Sequence, residues 1–176
     1  MSDSHAVSPT VEFRRATNAD CEVAQRIVGR ALGEYGLDLL LDTSDKDLRD
    51  LEAHYDRCGG EFEIISLRDP ASSDRDVGVL GWKPGAAGTL ELKKVYLDRA
   101  ARGRNLGRLA VERVIARARA DGYSAIVLET THAMTAAMAL YERLGFRRVS
   151  GDDAGSFATL SQDCEQAFRL DLTPVT

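Results

Sequence analysis

The sequence predicts an α/β (α+β) domain, in which a central mixed but mostly antiparallel twisted sheet carries about four helices. Three observations predict it. Strand-like runs before residue 98 are separated by short turn-rich gaps, as in an antiparallel meander. A strongly amphipathic helix then separates two strand-like runs, as in a βαβ crossover. A second amphipathic helix, closed by glycine, leads into two further short runs. A chain of 176 residues is of ordinary length for one domain and long enough to bury a core. We assign residues 11–176 to that single domain and 1–10, polar and mixed, to a disordered N-terminal tail.

Taken in order, residues 11–16 read as a first strand. Thr17 followed three residues later by Asp20 resembles a capping box, and Val23, Ala24, Ile27, Val28, Ala31 and Leu32 mark one helix face, ended by Gly33. The leucines at 37, 39, 40 and 41 form a short apolar stretch that suits either core or the wall of a cleft. Ser44 with Asp47 opens a second helix whose buried face is Leu48, Leu51, Tyr55 and Cys58, stopped by Gly59-Gly60.

Residues 62–67 and 77–82 read as strands joined by a polar loop, and Pro84-Gly85 with Gly88 turns the chain into a third, 90–97. Simple alternation places Glu91, Lys93, Val95 and Leu97 on one face of that strand and Leu90, Leu92, Lys94 and Tyr96 on the other. Leu106, Ala110, Val111, Val114, Ile115 and Ala118 form the buried stripe of the next helix, which stops at Asp121-Gly122. The strand 125–129 is expected parallel to 90–97. After a polar loop, Met134, Ala137, Met138 and Tyr141 fall at i, i+3, i+4 and i+7 of a helix closed by Gly145. Residues 146–149 begin a strand, 150–165 are loop-like, and Phe168, Leu170 and Leu172 alternate in a closing strand antiparallel to its predecessor.

Composition excludes several classes of function. No apolar run approaches the ~20 residues of a membrane span, and the N-terminus lacks the basic start and apolar centre of a secretory signal, so a cytoplasmic protein is expected. Cys21, Cys58 and Cys164 are odd in number and far apart, and His5, His54 and His132 are equally scattered. Neither set has disulfide or zinc spacing, and no metal is expected. A net charge of −5 disfavours nucleic acid as a partner.

Against that acidic background, residues 99–119 hold seven arginines and one acid, Glu112, for a segment charge of +6 and −11 elsewhere. Arg113, Arg117 and Arg119 read as the solvated face of a helix. Arg102, Arg104 and Arg108 differ, because they lie in the loop or first turn, where cations oppose the helix dipole unless an anion offsets them. A glycine-containing loop opening into a helix leaves unpaired N–H groups at its positive end, which can hold a phosphate. The stretch Arg102-Gly103-Arg104-Asn105-Leu106-Gly107-Arg108 is therefore read as an anion cradle.

This loop, followed by Leu140-Tyr141-Glu142-Arg143-Leu144-Gly145-Phe146 and preceded by Glu91-Leu92-Lys93-Lys94-Val95-Tyr96-Leu97, resembles the GNAT N-acetyltransferase family, and in particular its small-molecule branch. The resemblance covers nearly the whole chain. Asn105 stands where the family usually has glycine, and Asn tolerates left-handed backbone better than other residues with a Cβ. Met134 stands where many members carry an asparagine, and with Leu128-Glu129-Thr130 it resembles the small-molecule branch.

The resemblance implies a GNAT fold with a splayed parallel strand pair, and acetyl-CoA as co-substrate, with no metal. It implies that the pyrophosphate lies on residues 102–108 and that the pantetheine arm pairs with Val95, Tyr96 and Leu97. It further implies that a backbone N–H near Val95 or Tyr96 meets the thioester oxygen. Tyr141 occupies the position of the family's general acid. Glu91, eleven residues before Arg102, has the offset of the general-base glutamate in histone-modifying members; the alternatives are a salt bridge with Lys93, or deprotonation through water. Glu129 is a second carboxylate for the acceptor, and Tyr35 a further substrate contact. The implied reaction is direct acetyl transfer to a primary amine of a small molecule. A peptide acetyltransferase using Tyr35 and the loop around 150–160, or a non-catalytic acyl-CoA-binding regulator, stay open beside it, as do monomer and homodimer. No nucleic-acid or membrane partner is expected.

Overall fold

The computed structural model describes residues 9–68, 73–150 and 166–172. The tail residues 1–8, most of the 150–165 loop and Cys164 lie outside the described residues. Seven strands form one sheet: β1 Thr10–Arg15, β2 Glu61–Arg68, β3 Arg75–Pro84, β4 Thr89–Leu97, β5 Ala125–Thr130, β6 Arg147–Val149 and β7 Gln166–Asp171. Their order is β1-β2-β3-β4-β5-β7-β6. β4 and β5 are parallel and the other neighbours antiparallel, as expected. The helices are α1 Cys21–Gly33, a single turn α2 Leu51–His54, α3 Leu106–Ala120 and α4 Thr135–Arg143.

Two apolar clusters cover the two faces of the sheet. On one, Ile65, Leu80, Trp82, Leu90 and Leu92 pack against the α3 stripe and against Met138 and Tyr141 of α4. On the other, Phe62, Ile64 and Val79 pack against Ala24, Ile27, Val28 and Leu32 of α1 and against Leu48, Leu51 and Tyr55. Alternation along β2 and β3 divides their side chains between these clusters, which is why both strands read as nearly continuous buried runs.

The entry to α1 follows its sequence signal. The Thr17 N–H donates to Asp20 Oδ2 at 2.9 Å, and the same carboxylate receives both terminal guanidinium nitrogens of Arg14, at 3.0 and 2.7 Å. The end of α4 does likewise, with Gly145 at φ 90°.

The second helix expected from Ser44 is instead broken. A 3₁₀ turn spans Lys46–Arg49, the backbone at Asp50 leaves helical geometry at φ −150° and ψ 84°, and a new turn begins at Leu51. Asp50 is the cause: its carboxylate accepts from the Ala53 N–H and from the Asn18 side chain, both at 2.9 Å, so it caps a fresh start rather than continuing the old one. The predicted face survives the break, with Leu48, Leu51 and Tyr55 buried, whereas Cys58 is exposed.

Simple alternation along β4 fails at Lys94. Val79 pairs with Tyr96 and Gly81 with Lys93, so Lys94 and Val95 together face Leu80, and Lys94 takes a left-handed φ of 49°. This is a β-bulge, which inverts the facing of everything after it. Val95 and Leu97 join Leu90 and Leu92 on the α3 face, while Tyr96 packs with the α1 cluster. Glu91 therefore does not share a face with Val95 and Leu97, contrary to the sequence expectation.

Arg113 and Arg117 are more than a solvated face. Arg113 donates to the buried Glu63 carboxylate of β2 at 2.7 Å and lies 5.3 Å over the Phe13 ring; Arg117 lies 5.2 Å over Trp82 and also reaches Asp121. Their stems cover the edge of the α3 core while the heads pair with acids.

Candidate active site

β4 and β5 are paired only over Thr89–Glu91 and Ala125–Val127. Beyond that point β4 runs on to Leu97 and β5 to Thr130 with no ladder between them. Two hollows open in the gap, of about 360 and 320 Å³. The first, beside α3, is bordered by Leu97, Arg102, Gly103, Asn105, Gly107 and Arg108. The second, beneath the 36–45 segment, is bordered by Leu37, Asp45, Glu91, Lys93, Lys94 and Glu129. Val95, Tyr96, Met134, Ala137 and Tyr141 border both, so the hollows meet at the bulge.

The cradle forms as the glycine pattern suggests. Gly103 and Asn105 both take left-handed backbone, at φ 77° and 65°, so Asn105 serves where glycine is usual. The first bond of α3 runs from the Leu109 N–H to the Asn105 carbonyl at 3.0 Å, and no backbone carbonyl among the described residues accepts from the N–H groups of 103–108. These groups fit an anion.

The three loop arginines are not equivalent. Arg102 turns back: its guanidinium donates to both Glu34 oxygens, at 2.8 and 3.1 Å, and to the Leu97 carbonyl at 2.9 Å. Its side chain ties the end of α1 to the loop, and Arg102 still borders the cradle hollow. Arg108 pairs with Glu112 one turn on, at 2.8 Å with both partners exposed, a weak tie that an anion can displace. Arg104 is exposed, and no partner for it occurs among the described residues.

Tyr141 is 6% exposed and stands against Phe146 and Phe168 at ring distances of 5.7 and 5.9 Å. Burial, with Tyr96 adding to it, pushes its phenol well above the usual tyrosine range. The hydroxyl therefore keeps its proton throughout the neutral range.

Glu91 borders the second hollow between two ammonium groups, Lys93 at 3.1 Å and Lys83 at 3.4 Å. Of the readings of Glu91, the salt bridge with Lys93 forms, and Glu91 also borders the cavity. Glu129 borders the same hollow. Tyr35 does not; it borders the cradle hollow, because the end of α1 is drawn there by the Glu34–Arg102 pair. The leucine stretch serves both its expected uses, with Leu37 and Leu40 on the cavity and Leu39 and Leu41 packed on the core.

Sequence reasoning missed the group that fixes the bulge. The Lys94 side chain is 9% exposed, and its ammonium lies 2.5 Å from Asp45 and 3.5 Å from Asp47, with the Ser44 carbonyl at 3.4 Å. Asp47 in turn accepts from the Tyr55 hydroxyl at 2.5 Å, and Asp45 from the Leu40 N–H at 2.9 Å. Two successive lysines in an otherwise alternating strand were the one available sign. Among the described residues, no group of three or more His, Cys, Asp or Glu could hold a metal ion, and no helix is long and apolar enough to cross a membrane.

A splayed parallel pair with an N–H cradle on one side and a second cavity on the other is a site with room for two ligands that meet at the bulge. Residues 44–146 match the Acetyltransferase (GNAT) family, and the chain belongs to it. It is 29% identical over 155 residues to the uncharacterized N-acetyltransferase YjgM of Escherichia coli, covering 87% of this chain and 90% of that one. It is also 36% identical over 115 residues to the N-acetylaspartate synthetase of Danio rerio, covering 64% of this chain and 38% of that protein. The crystal structure of a GNAT-family acetyltransferase from Staphylococcus aureus Mu50 superposes with a TM-score of 0.81 at 20% identity, covering 93% of this chain and 100% of that one. The protein is accordingly an acyltransferase of the N-acetyltransferase kind, and its family uses acetyl-CoA.

Proposed function

We propose that the protein transfers acetyl from acetyl-CoA directly to a primary amine of a small molecule. The observation that carries this reading is the meeting of two hollows at Val95, Tyr96 and Tyr141, one with anion-binding backbone and the other with carboxylates. When bound, acetyl-CoA supplies an acyl group activated as a thioester.

The N–H groups of 103–108, with Arg104 and Arg108, hold the phosphates. The edge of β4 that faces β5 beyond Glu91, along Val95 to Leu97, would hold the arm. The bulge leaves Lys94 and Val95 out of the ladder, so the backbone N–H of Val95 can turn toward developing negative charge. An alkyl ammonium has a pKa of ~10.4, so the acceptor must lose a proton before it attacks. Glu91, directly or through water, receives that proton; Glu129 attracts the cation. Tyr141 keeps a proton at the junction and gives it to the departing sulfur.

Two measurements test the reading. Titration calorimetry with CoA at low salt is expected to give saturable binding that Arg104→Glu with Arg108→Glu weakens at least ~10-fold. An amine panel with acetyl-CoA, followed by thiol release, is expected to find a small amine turned over. Unchanged CoA affinity in the double variant removes the cradle, and a panel in which only peptides react removes the small-molecule acceptor.

A further inference from the structure

We infer that the acceptor is a small aminocarboxylate, an amine bearing its own carboxylate a few bonds away, and that Lys93, backed by Lys83, takes the carboxylate. This rests on the acetyl-transfer reading above and narrows its substrate.

Lys83 lies directly opposite Glu91 in the β3–β4 register, and Lys93 lies two residues beyond Glu91, before the bulge, so all three share one face. Both ammonium groups address the one carboxylate, Lys93 at Oε1 and Lys83 at Oε2. Two cations on one anion leave a local positive excess at that point of the wall, with Asp38, Asp45 and Glu129 the other acids of the lining. The lysine side chains keep 30 and 34% of their exposure, enough to reach a ligand, while Glu91 keeps 15%.

The other lysine of the hollow has no such capacity. Lys94 is buried and already balanced by Asp45 and Asp47. Lys93 is therefore the cation of this cavity that can take another anion.

The spacing suits a short molecule. Lys93 precedes Val95 by two residues across the bulge, less than the roughly 7 Å of regular strand, and Val95 stands where the hollows meet. Across the gap, Val127 is level with Glu91, so Glu129 lies near the level of Lys93 on the same face of β5. Positive and negative groups thus alternate from β3 to β5, which complements a ligand of both signs. Leu32, Leu37 and Leu40 offer the rest of the molecule an apolar wall.

The test compares acid and amide forms of the same acceptor. With the full chain and acetyl-CoA, kcat/KM is measured for L-leucine against L-leucinamide, L-methionine against L-methioninamide, and spermidine. Amidation lowers the basicity of the amine and so favours the amide, which means a preference for the acid reports the carboxylate. The expected preference is about tenfold or more. Lys93→Gln is expected to shrink it to within about threefold, chiefly through KM, and Lys83→Gln to shrink it less. Taking the ratio cancels any general effect of disturbing Glu91, and calorimetry with CoA shows whether each variant is folded. Amides or spermidine turned over as well as the acids, or a ratio unmoved by Lys93→Gln, overturns the inference and leaves acetyl transfer standing. CoA binding with no amine of any kind acetylated overturns acetyl transfer and this inference with it.

Discussion

The ammonium of Lys94 lies 2.5 Å from Asp45 Oδ1, and this pair ties the left-handed residue of the β4 bulge to the segment walling the second hollow. The bulge decides which way Val95 and Tyr96 face, so a side-chain contact fixes the geometry of a backbone site. Removing one partner from a buried pair typically costs about 3–5 kcal/mol, because the other charge is left behind. Lys94→Met and Asp45→Asn are each expected to lower unfolding free energy by about 3 kcal/mol in urea titrations. A loss below about 1 kcal/mol in both would show that the bulge holds without them.

Tyr141→Phe removes the hydroxyl and keeps the ring between Phe146 and Phe168. A fall in kcat of about 10²-fold with unchanged CoA affinity is expected, the low end for acid catalysis. Because burial raises the phenol above its ordinary pKa of 10.0, it stays protonated below that pH, and kcat of the unaltered protein should show no alkaline decline from Tyr141 below about pH 10. Full activity in the Phe variant would transfer the proton donor's role to solvent.

Asn105 occupies φ 65° at the mouth of α3. Asn105→Gly is expected to be nearly neutral in stability, whereas Asn105→Val should cost about 1–2 kcal/mol, since left-handed backbone crowds a branched Cβ. CoA affinity should fall in the Val variant alone. Equal affinities in the two variants would mean that the cradle does not need this backbone.

Asp20 is held below the usual carboxylate range, first by its hydrogen bond from Arg14 and then by the Thr17 N–H, against the opposing effect of burial. Its folded-state pKa is lowered, so its contribution is present above the unfolded value near 3.8 and is lost as pH falls through the folded value. Asp20→Asn is expected to cost about 1 kcal/mol at pH 7, with the two stability curves converging as pH falls below 3.8 through the lowered folded value. Parallel curves down to about pH 2 would rule out the linkage.

The sheet, α1, α3, α4 and the cradle were legible because each rests on local rules. Apolar periodicity sets the faces, Gly103, Gly122 and Gly145 mark left-handed turns, and Thr17 with Asp20 starts α1. The broken helix at Asp50 was not legible, since Asp is tolerated inside a helix unless something completes its cap, and here Asn18, 32 residues away, does so.

By itself, then, the sequence determined the strand-and-helix order, the N–H cradle and the placement of Tyr141 on the inward face of α4. Periodicity and backbone preference act over a few residues and need no partner. The tertiary structure alone decided that Lys94 adopts a left-handed bulge, that Glu34 pairs with Arg102 beside the cradle, and that Lys83 joins Lys93 on Glu91. Each of these depends on a charge brought close by folding, and the energy of an ion pair is set by distance and burial, neither of which is written in the order of residues.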